Sequence, residues 1–277
     1  MGKFELREKT VVITGASGGI GTEVAVAFAR RGAKLVLSGR NRDALAKTAD
    51  RVRDIGTEAH VVPADVTVWD EMRALVERAI EVTGGLHVML LGAGYGVLGN
   101  IENVTLDAWR KQMDVNFWGV LNGFYAALPH LTKQSSGQYI IINSLAGRVA
   151  MALNAPYCAS KFALWGFTDS VRPELAKKNI DIISVYPNFV KTAFQGNIES
   201  PDFNVPPDLA WKMRGQSPEK VAETIARASE KRKGEVVFTA TGKIGVRLLP
   251  LSYHLAELTR KIMFPITRKI IGGKSEG

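Results

Sequence analysis

The chain alternates short apolar runs with longer segments whose apolar positions recur every three to four residues. The runs fall at residues 10–13, 34–38, 59–63, 87–91, 138–143, 181–186 and 235–238. They are rich in β-branched residues and nearly continuously apolar, which predicts strands buried on both faces. Residues 19–31, 42–55, 69–83, 106–131, 156–178 and 218–231 carry the helical period between them. This alternation predicts an α/β fold: a doubly wound parallel sheet of about seven strands with helices on both faces. Right-handed crossovers in such a sheet place ligands at the carboxyl ends of the strands.

Residues 193–217 break the rhythm with Pro201, Pro206 and Pro207 and few periodic apolar positions. A long irregular connection inside an α/β pattern predicts a binding loop or lid. No repeat, low-complexity run or linker divides the chain. The expectation is one domain over residues 1–277, with a core at 8–240, a substrate loop at 193–217 and a C-terminal extension at 241–277.

The 277 residues are 46% apolar and 23% charged, a globular balance. The single cysteine, Cys158, excludes an intrachain disulfide and fits a reducing compartment. Residues 1–10 lack the apolar core of a signal peptide, and no apolar run reaches the roughly 18 residues of a spanning helix. A cytoplasmic protein is expected. The formal net charge is +9. Its basic residues are spread along the chain and fit a solvated surface plus an anionic cofactor, and no nucleic-acid docking motif accompanies them. They thicken in the extension, where Arg247, Arg260, Lys261, Arg268 and Lys269 interleave with Leu, Ile, Met and Phe. That segment is expected to pack on the core or on another subunit, with weak membrane-surface contact as the alternative.

The first strand runs into Thr14-Gly15-Ala16-Ser17-Gly18-Gly19-Ile20-Gly21, and a helix follows. Gly15 permits the tight turn, Gly19 lets the backbone approach a phosphate, and Gly21 lets the helix pack on the strand. The helix N-terminus offers free N–H groups and a positive dipole end to a pyrophosphate. The second strand ends Ser38-Gly39-Arg40-Asn41-Arg42. No acidic residue stands where a ribose 2′-hydroxyl would be held. Arg40 can instead grip a 2′-phosphate, with Arg42 as an optional helper, so NADP(H) is expected over NAD(H).

Tyr157 and Lys161 are four apart at the start of a helix and share one face. A free tyrosine has a pKa of about 10. A neighbouring ammonium would lower it toward a value useful for acid–base work near neutrality. Ser144 follows an apolar strand, where its hydroxyl can bond a substrate oxygen, or simply cap a turn. Asn116 lies inside the 106–131 helix, where asparagine is a poor fit. A buried role is expected for it: a kink that holds a water, or a packing hydrogen bond.

Together these residues resemble the short-chain dehydrogenase/reductase family, in the branch with a TGxxxGxG loop and a YxxxK site. The likeness covers residues 8 to 240 and implies a Rossmann-like fold. It implies that Tyr157 is the general acid/base, that Lys161 lowers its pKa and holds the nicotinamide ribose, and that Ser144 orients the substrate oxygen. Asn116 would support a water linking Lys161 to solvent. Cofactor contacts would come from Gly15, Ser17, Gly18, Gly19, Ile20, Gly21, Arg40, Asp65, Val66, Ala93, Gly94, Tyr157, Lys161, Pro187, Val190 and Thr192. Asp65 and Val66 would flank the adenine. No metal ligand set is expected. Two places depart from the family pattern. Leu91-Gly92-Ala93-Gly94 stands for Asn-Asn-Ala-Gly, which removes amides that tie neighbouring strands. Pro187-Asn188 stands for Pro-Gly, where asparagine can still accept a left-handed turn.

The expected function is hydride exchange between NADP(H) and a carbonyl or secondary alcohol. The substrate is expected to be lipophilic, because Tyr95, Leu98, Leu153, Phe189 and Phe194 fall in the pocket segments. The alternative is a non-catalytic NADP(H)-binding sensor or scaffold. A homodimer or homotetramer through the 106–131 and 156–178 helices is implied by the resemblance.

Overall fold

The computed structural model describes residues 2–239, 242–244 and 262. Apart from 242–244 and 262, the extension at 241–277 lies outside the described residues, so its packing and membrane expectations do too.

Seven parallel strands form one sheet: β1 (Thr10–Thr14), β2 (Lys34–Ser38), β3 (Ala59–Val61), β4 (Val88–Leu91), β6 (Gly137–Ile142), β7 (Ile180–Tyr186) and β9 (Glu235–Val237). Their order is β3-β2-β1-β4-β6-β7-β9. The chain builds outward from β1 to β3, then returns to lay β4 on the other side of β1. That reversal opens a crevice at the carboxyl ends of β1 and β4.

The strands read as continuous apolar runs because both faces are covered. Along β1, Val11 and Ile13 point into one core, with Leu35 and Leu37 of β2. That core packs against α1 (Gly19–Ala29), α2 (Arg42–Arg53) and α8 (Pro218–Glu230). Val12 points the other way, with Met89, Tyr139 and Ile141. There it meets α3 (Trp69–Thr83), α5 (Gly119–Gln134) and α6 (Ala155–Ala176). The two-residue side-chain period of a strand serves both layers at once.

Three features differ from the sequence pattern. The 106–131 helix is split into α4 (Leu106–Met113), a π-helical turn (Asp114–Trp118) and α5. The 193–217 segment carries a short 3-10 turn (Ala193–Asn197), a two-residue strand β8 (Ile198–Glu199) and α7 (Leu209–Lys212). β8 pairs in parallel with β5 (Gly96–Val97), which follows β4. Pairs this short leave no readable periodicity.

The two family departures are both accommodated. The Thr14 hydroxyl accepts from Gly92 N at 3.1 Å and donates to Leu90 O at 3.4 Å, so a threonine ties β1 to β4. Asn188 is not among the residues with positive φ. The turn after β7 therefore makes no use of asparagine's tolerance for the left-handed region.

Candidate active site

The cofactor candidates of the loops all follow strands at the carboxyl side of the sheet. Gly15 follows β1, Arg40 follows β2, Asp65 and Val66 follow β3, and Ala93 and Gly94 follow β4. Ser144 follows β6, and Pro187, Val190 and Thr192 follow β7. Tyr157 and Lys161 are in the first two turns of α6, and Asn116 is in the π-helical turn.

The glycines of the first turn are required by contact. Gly15 has φ +72°, and a Cβ there would stand 2.8 Å from Ala93 N. A Cβ on Gly21 would lie 2.2 Å from Gly15 O, and one on Gly19 would lie 2.5 Å from the Thr192 methyl. Thr192 therefore closes over the glycine turn from the β7 side. Gly18 is less constrained, since its nearest contact would be at 3.6 Å. It stands at the N-cap of α1 with no side-chain cap, which leaves the first-turn N–H groups of Gly19, Ile20 and Gly21 for a ligand.

Gly39 lies beside this turn: a Cβ there would be 3.2 Å from Ser17 Oγ. Arg40 and Arg42 then line a cavity of ≈ 530 Å³ with Asp65, Glu71 and Arg78. The acids of this cavity are already engaged. Asp65 Oδ1 accepts from Thr67 N at 2.9 Å and from its hydroxyl at 2.8 Å. Glu71 accepts from Asp65 N at 2.7 Å, and Arg78 pairs with Glu81 at 2.7 Å. Val66 packs on Gly119, whose absent Cβ would lie 2.6 Å from the valine methyl.

Tyr157, Ser144 and Lys161 gather at the carboxyl end of β6. The Ser144 hydroxyl exerts a lowering influence on the Tyr157 phenol, and its oxygen accepts from Ala146 N at 3.1 Å. Lys161 is 3% exposed and donates to Ile142 O at 3.0 Å. Its ammonium sits 5.7 Å from the Tyr157 ring centroid. Burial pushes the Tyr157 phenol up to about 12, against the lowering influence of Ser144. Burial pushes the Lys161 ammonium down to about 8. The sequence expectation that Lys161 lowers the Tyr157 pKa is not met in the chain by itself. Dehydration of the phenol dominates, and the ammonium is directed at Ile142 O.

Asn116 is fully buried. Its Oδ1 accepts from Tyr95 N at 2.8 Å, and its Nδ2 donates to Tyr95 O at 3.0 Å and Ser160 Oγ at 3.2 Å. The side chain serves packing hydrogen bonds, one of the two roles expected. Ser160 in turn donates to Tyr157 O at 2.8 Å, which links the π-helical turn to α6.

The loop after β7 closes the other side. Phe194 lies 6.4 Å from the Tyr157 ring, centroid to centroid. Its ring edge would meet a Cβ on Gly96 at 3.3 Å, so glycine makes room for it. The Tyr95 phenol donates to Glu199 of β8, and Lys111 pairs with Glu199 at 3.1 Å while lying 4.4 Å over the Tyr95 ring. Leu98 and Leu153 pack with Val205 and Leu209 beneath the loop. Sequence reasoning placed Tyr95 in the pocket but missed Lys111 and Glu199. They are 88 residues apart, and no local pattern joins them.

A doubly wound sheet with a glycine turn at its crevice defines a nucleotide-binding α/β class. A model described as short chain dehydrogenase matches residues 9–202. The chain is 31% identical over 264 residues to an uncharacterized oxidoreductase, YxnA, of Bacillus subtilis, covering 94% of this chain and 74% of the relative. It is 33% identical over 225 residues to another, Lmo0432, of Listeria monocytogenes, covering 80% and 91%. Among solved structures it resembles a short-chain type dehydrogenase/reductase from Mycobacterium marinum, with TM-score 0.76, 26% identity and coverage of 83% and 93%. NAD+-bound xylitol dehydrogenase shares the fold, with TM-score 0.72, 23% identity and coverage of 82% and 95%. The chain belongs to the short-chain dehydrogenase/reductase family and is an oxidoreductase. Enzymes of this family work with NAD or NADP. Among the described residues no helix is long and apolar enough to cross a membrane.

Proposed function

We propose that the chain is an NADP(H)-dependent carbonyl reductase or alcohol dehydrogenase, with Tyr157 as general acid/base. The observation that carries this reading is the convergence of Tyr157, Ser144 and Lys161 beside the glycine turn. The site fits the cofactor. The uncapped α1 terminus and the glycines at 15, 19 and 21 suit a pyrophosphate. Gly39 brings no carboxylate to the end of β2. Arg40 and Arg42 have no carboxylate partner among the described residues and face the cavity that would take a 2′-phosphate.

The nicotinamide would supply or accept the hydride. The chain's own residues do the rest. Ser144 donates to the substrate oxygen, and Tyr157, kept protonated by burial, gives its proton to that oxygen as the carbonyl becomes an alcohol. Oxidation runs the same transfer backward. Lys161 has two N–H groups beyond the one on Ile142 O and would hold the ribose with them. Asn116 holds Tyr95 and the base of α6, which fixes the cleft floor.

Phe194, Leu98 and Leu153 favour a lipophilic ketone or secondary alcohol. The alternative of a non-catalytic sensor has no observation in its favour, since Tyr157 and Lys161 are both present and lie side by side. A homo-oligomer and a cytoplasmic location belong to the same proposal. The test is a screen of steroids, retinoids, quinones and small ketones with NADPH and with NADH. NADPH-dependent turnover of an apolar ketone is expected. Tight NADPH binding without turnover on any member would favour the sensor.

A further inference from the structure

Arg148 stands four residues after Ser144, at the end of the 3-10 turn Leu145–Gly147. Its guanidinium is not in the cleft. It lies 4.4 Å from the ring centroid of Trp165 and 5.3 Å from that of Tyr186. It also pairs with Glu235 at 2.6 Å, and its side chain is only 14% exposed. These three partners belong to three elements. Trp165 is on α6, the helix that carries Tyr157 and Lys161. Tyr186 is the last residue of β7, immediately before Pro187. Glu235 opens β9.

The turn is held at its start by the Ser144 cap on Ala146 N, by Asn143 Oδ1, which accepts from Ser144 N at 2.9 Å, and by backbone bonds. Leu145 N donates to Pro187 O at 3.1 Å, and Gly147 N donates to Ser144 O at 3.0 Å. The turn is pressed against α6, where a Cβ on Gly147 would lie 2.6 Å from Lys161 O. Arg148 is the side chain that fastens its far end. A guanidinium suits the place because its plane can stack on aromatic rings while its edge meets a carboxylate, which an ammonium does less well.

We infer that Arg148 is a positioning residue for Ser144: it staples the serine turn to α6, β7 and β9 and so sets the Ser144 hydroxyl against Tyr157. This rests on the proposed reaction, but its structural half can be tested without it. Small misplacements of a reacting group can cost about a hundredfold in rate.

The experiment compares Arg148→Met, Arg148→Lys and Ser144→Ala, singly and with Arg148→Met combined with Ser144→Ala. Hydrogen exchange is read over residues 144–149, with NADPH affinity, and kcat and KM for whichever ketone the screen yields. Arg148→Met is expected to speed exchange in that turn and not in β1 or α1, to lower kcat about 10- to 100-fold, and to leave NADPH affinity within about twofold. Arg148→Lys should recover part of the lost rate. On the Ser144→Ala background, Arg148→Met should cost little more, because the two act through one hydroxyl. Unchanged exchange in 144–149 would overturn the inference. So would rate losses that multiply in the double variant, which would mark a general structural role. If the wild type reduces no ketone, the functional reading fails, and the exchange result still decides whether Arg148 holds the turn.

Discussion

Asn116 grips the backbone of Tyr95 from both sides, accepting from its N–H at 2.8 Å and donating to its carbonyl at 3.0 Å. The π-helical turn makes this possible. One extra residue per turn swings Asn116 out of the helical ladder and toward the segment after β4. Gln112 adds a bond from Nε2 to the same carbonyl at 2.6 Å.

Replacing Asn116 should therefore cost stability as well as rate. Asn116→Ala leaves the half-buried Tyr95 N–H without its acceptor, a loss of about 1–3 kcal/mol at most. A melting experiment should show a fall of roughly 2–4 °C per kcal/mol for a domain of this size. kcat should fall too, because Asn116 no longer donates to Ser160, the residue that bonds Tyr157 O. An unchanged melting temperature with a large loss of kcat would mean that the side chain acts in the chemistry alone.

Arg40 is predicted to set cofactor choice. Charge-assisted hydrogen bonds to a phosphate contribute about 1.5–3 kcal/mol. Arg40→Asp should lower kcat/KM for NADPH by about 10- to 100-fold, on that range, and raise it for NADH. Steady-state kinetics with both cofactors measure the ratio. NADPH use that survives the substitution intact would place the 2′-phosphate elsewhere.

Lys161 gives a pH dependence with a definite sign. Burial holds its pKa near about 8, below the usual value, so the ammonium is present below that pH and is lost as pH rises through it. If the charged form holds the cofactor, kcat/KM for reduction should fall as pH rises from 7 to 9. Tyr157, near about 12, stays protonated over that window and should contribute no fall of its own. Lys161→Met should be slower and lose this inflection. A wild-type profile that stays flat through pH 9 would exclude the ammonium from the rate.

Much of the fold could be read from the chain because both sheet faces are covered. Fully buried strands such as β1 leave apolar runs that stand out against the amphipathic helices. The glycine turn was equally legible, since its residues are dictated by backbone contacts within a few positions. The site was legible where motifs are local, as for Tyr157 and Lys161. It was not legible where partners are distant. The bond between Tyr95 and Glu199 spans 104 residues, and the two-residue pairing of β5 with β8 has no period to detect. The π-helical turn was foreshadowed only by the poor fit of Asn116 in a helix. The Tyr157 pKa went the other way from the sequence argument. Spacing shows that a lysine is near, but not that its ammonium points at a carbonyl or that the phenol is dehydrated.

The most direct test of the account is Tyr157→Phe, assayed with NADPH and a ketone found in the screen, alongside NADPH binding by fluorescence. The substitution removes one hydroxyl and keeps the ring against Phe194. Loss of a positioned general acid costs about 10²- to 10⁴-fold. A kcat loss in that range is expected, with NADPH affinity within about twofold of wild type. A variant that binds NADPH normally and turns over within a few-fold of the wild-type rate would contradict it.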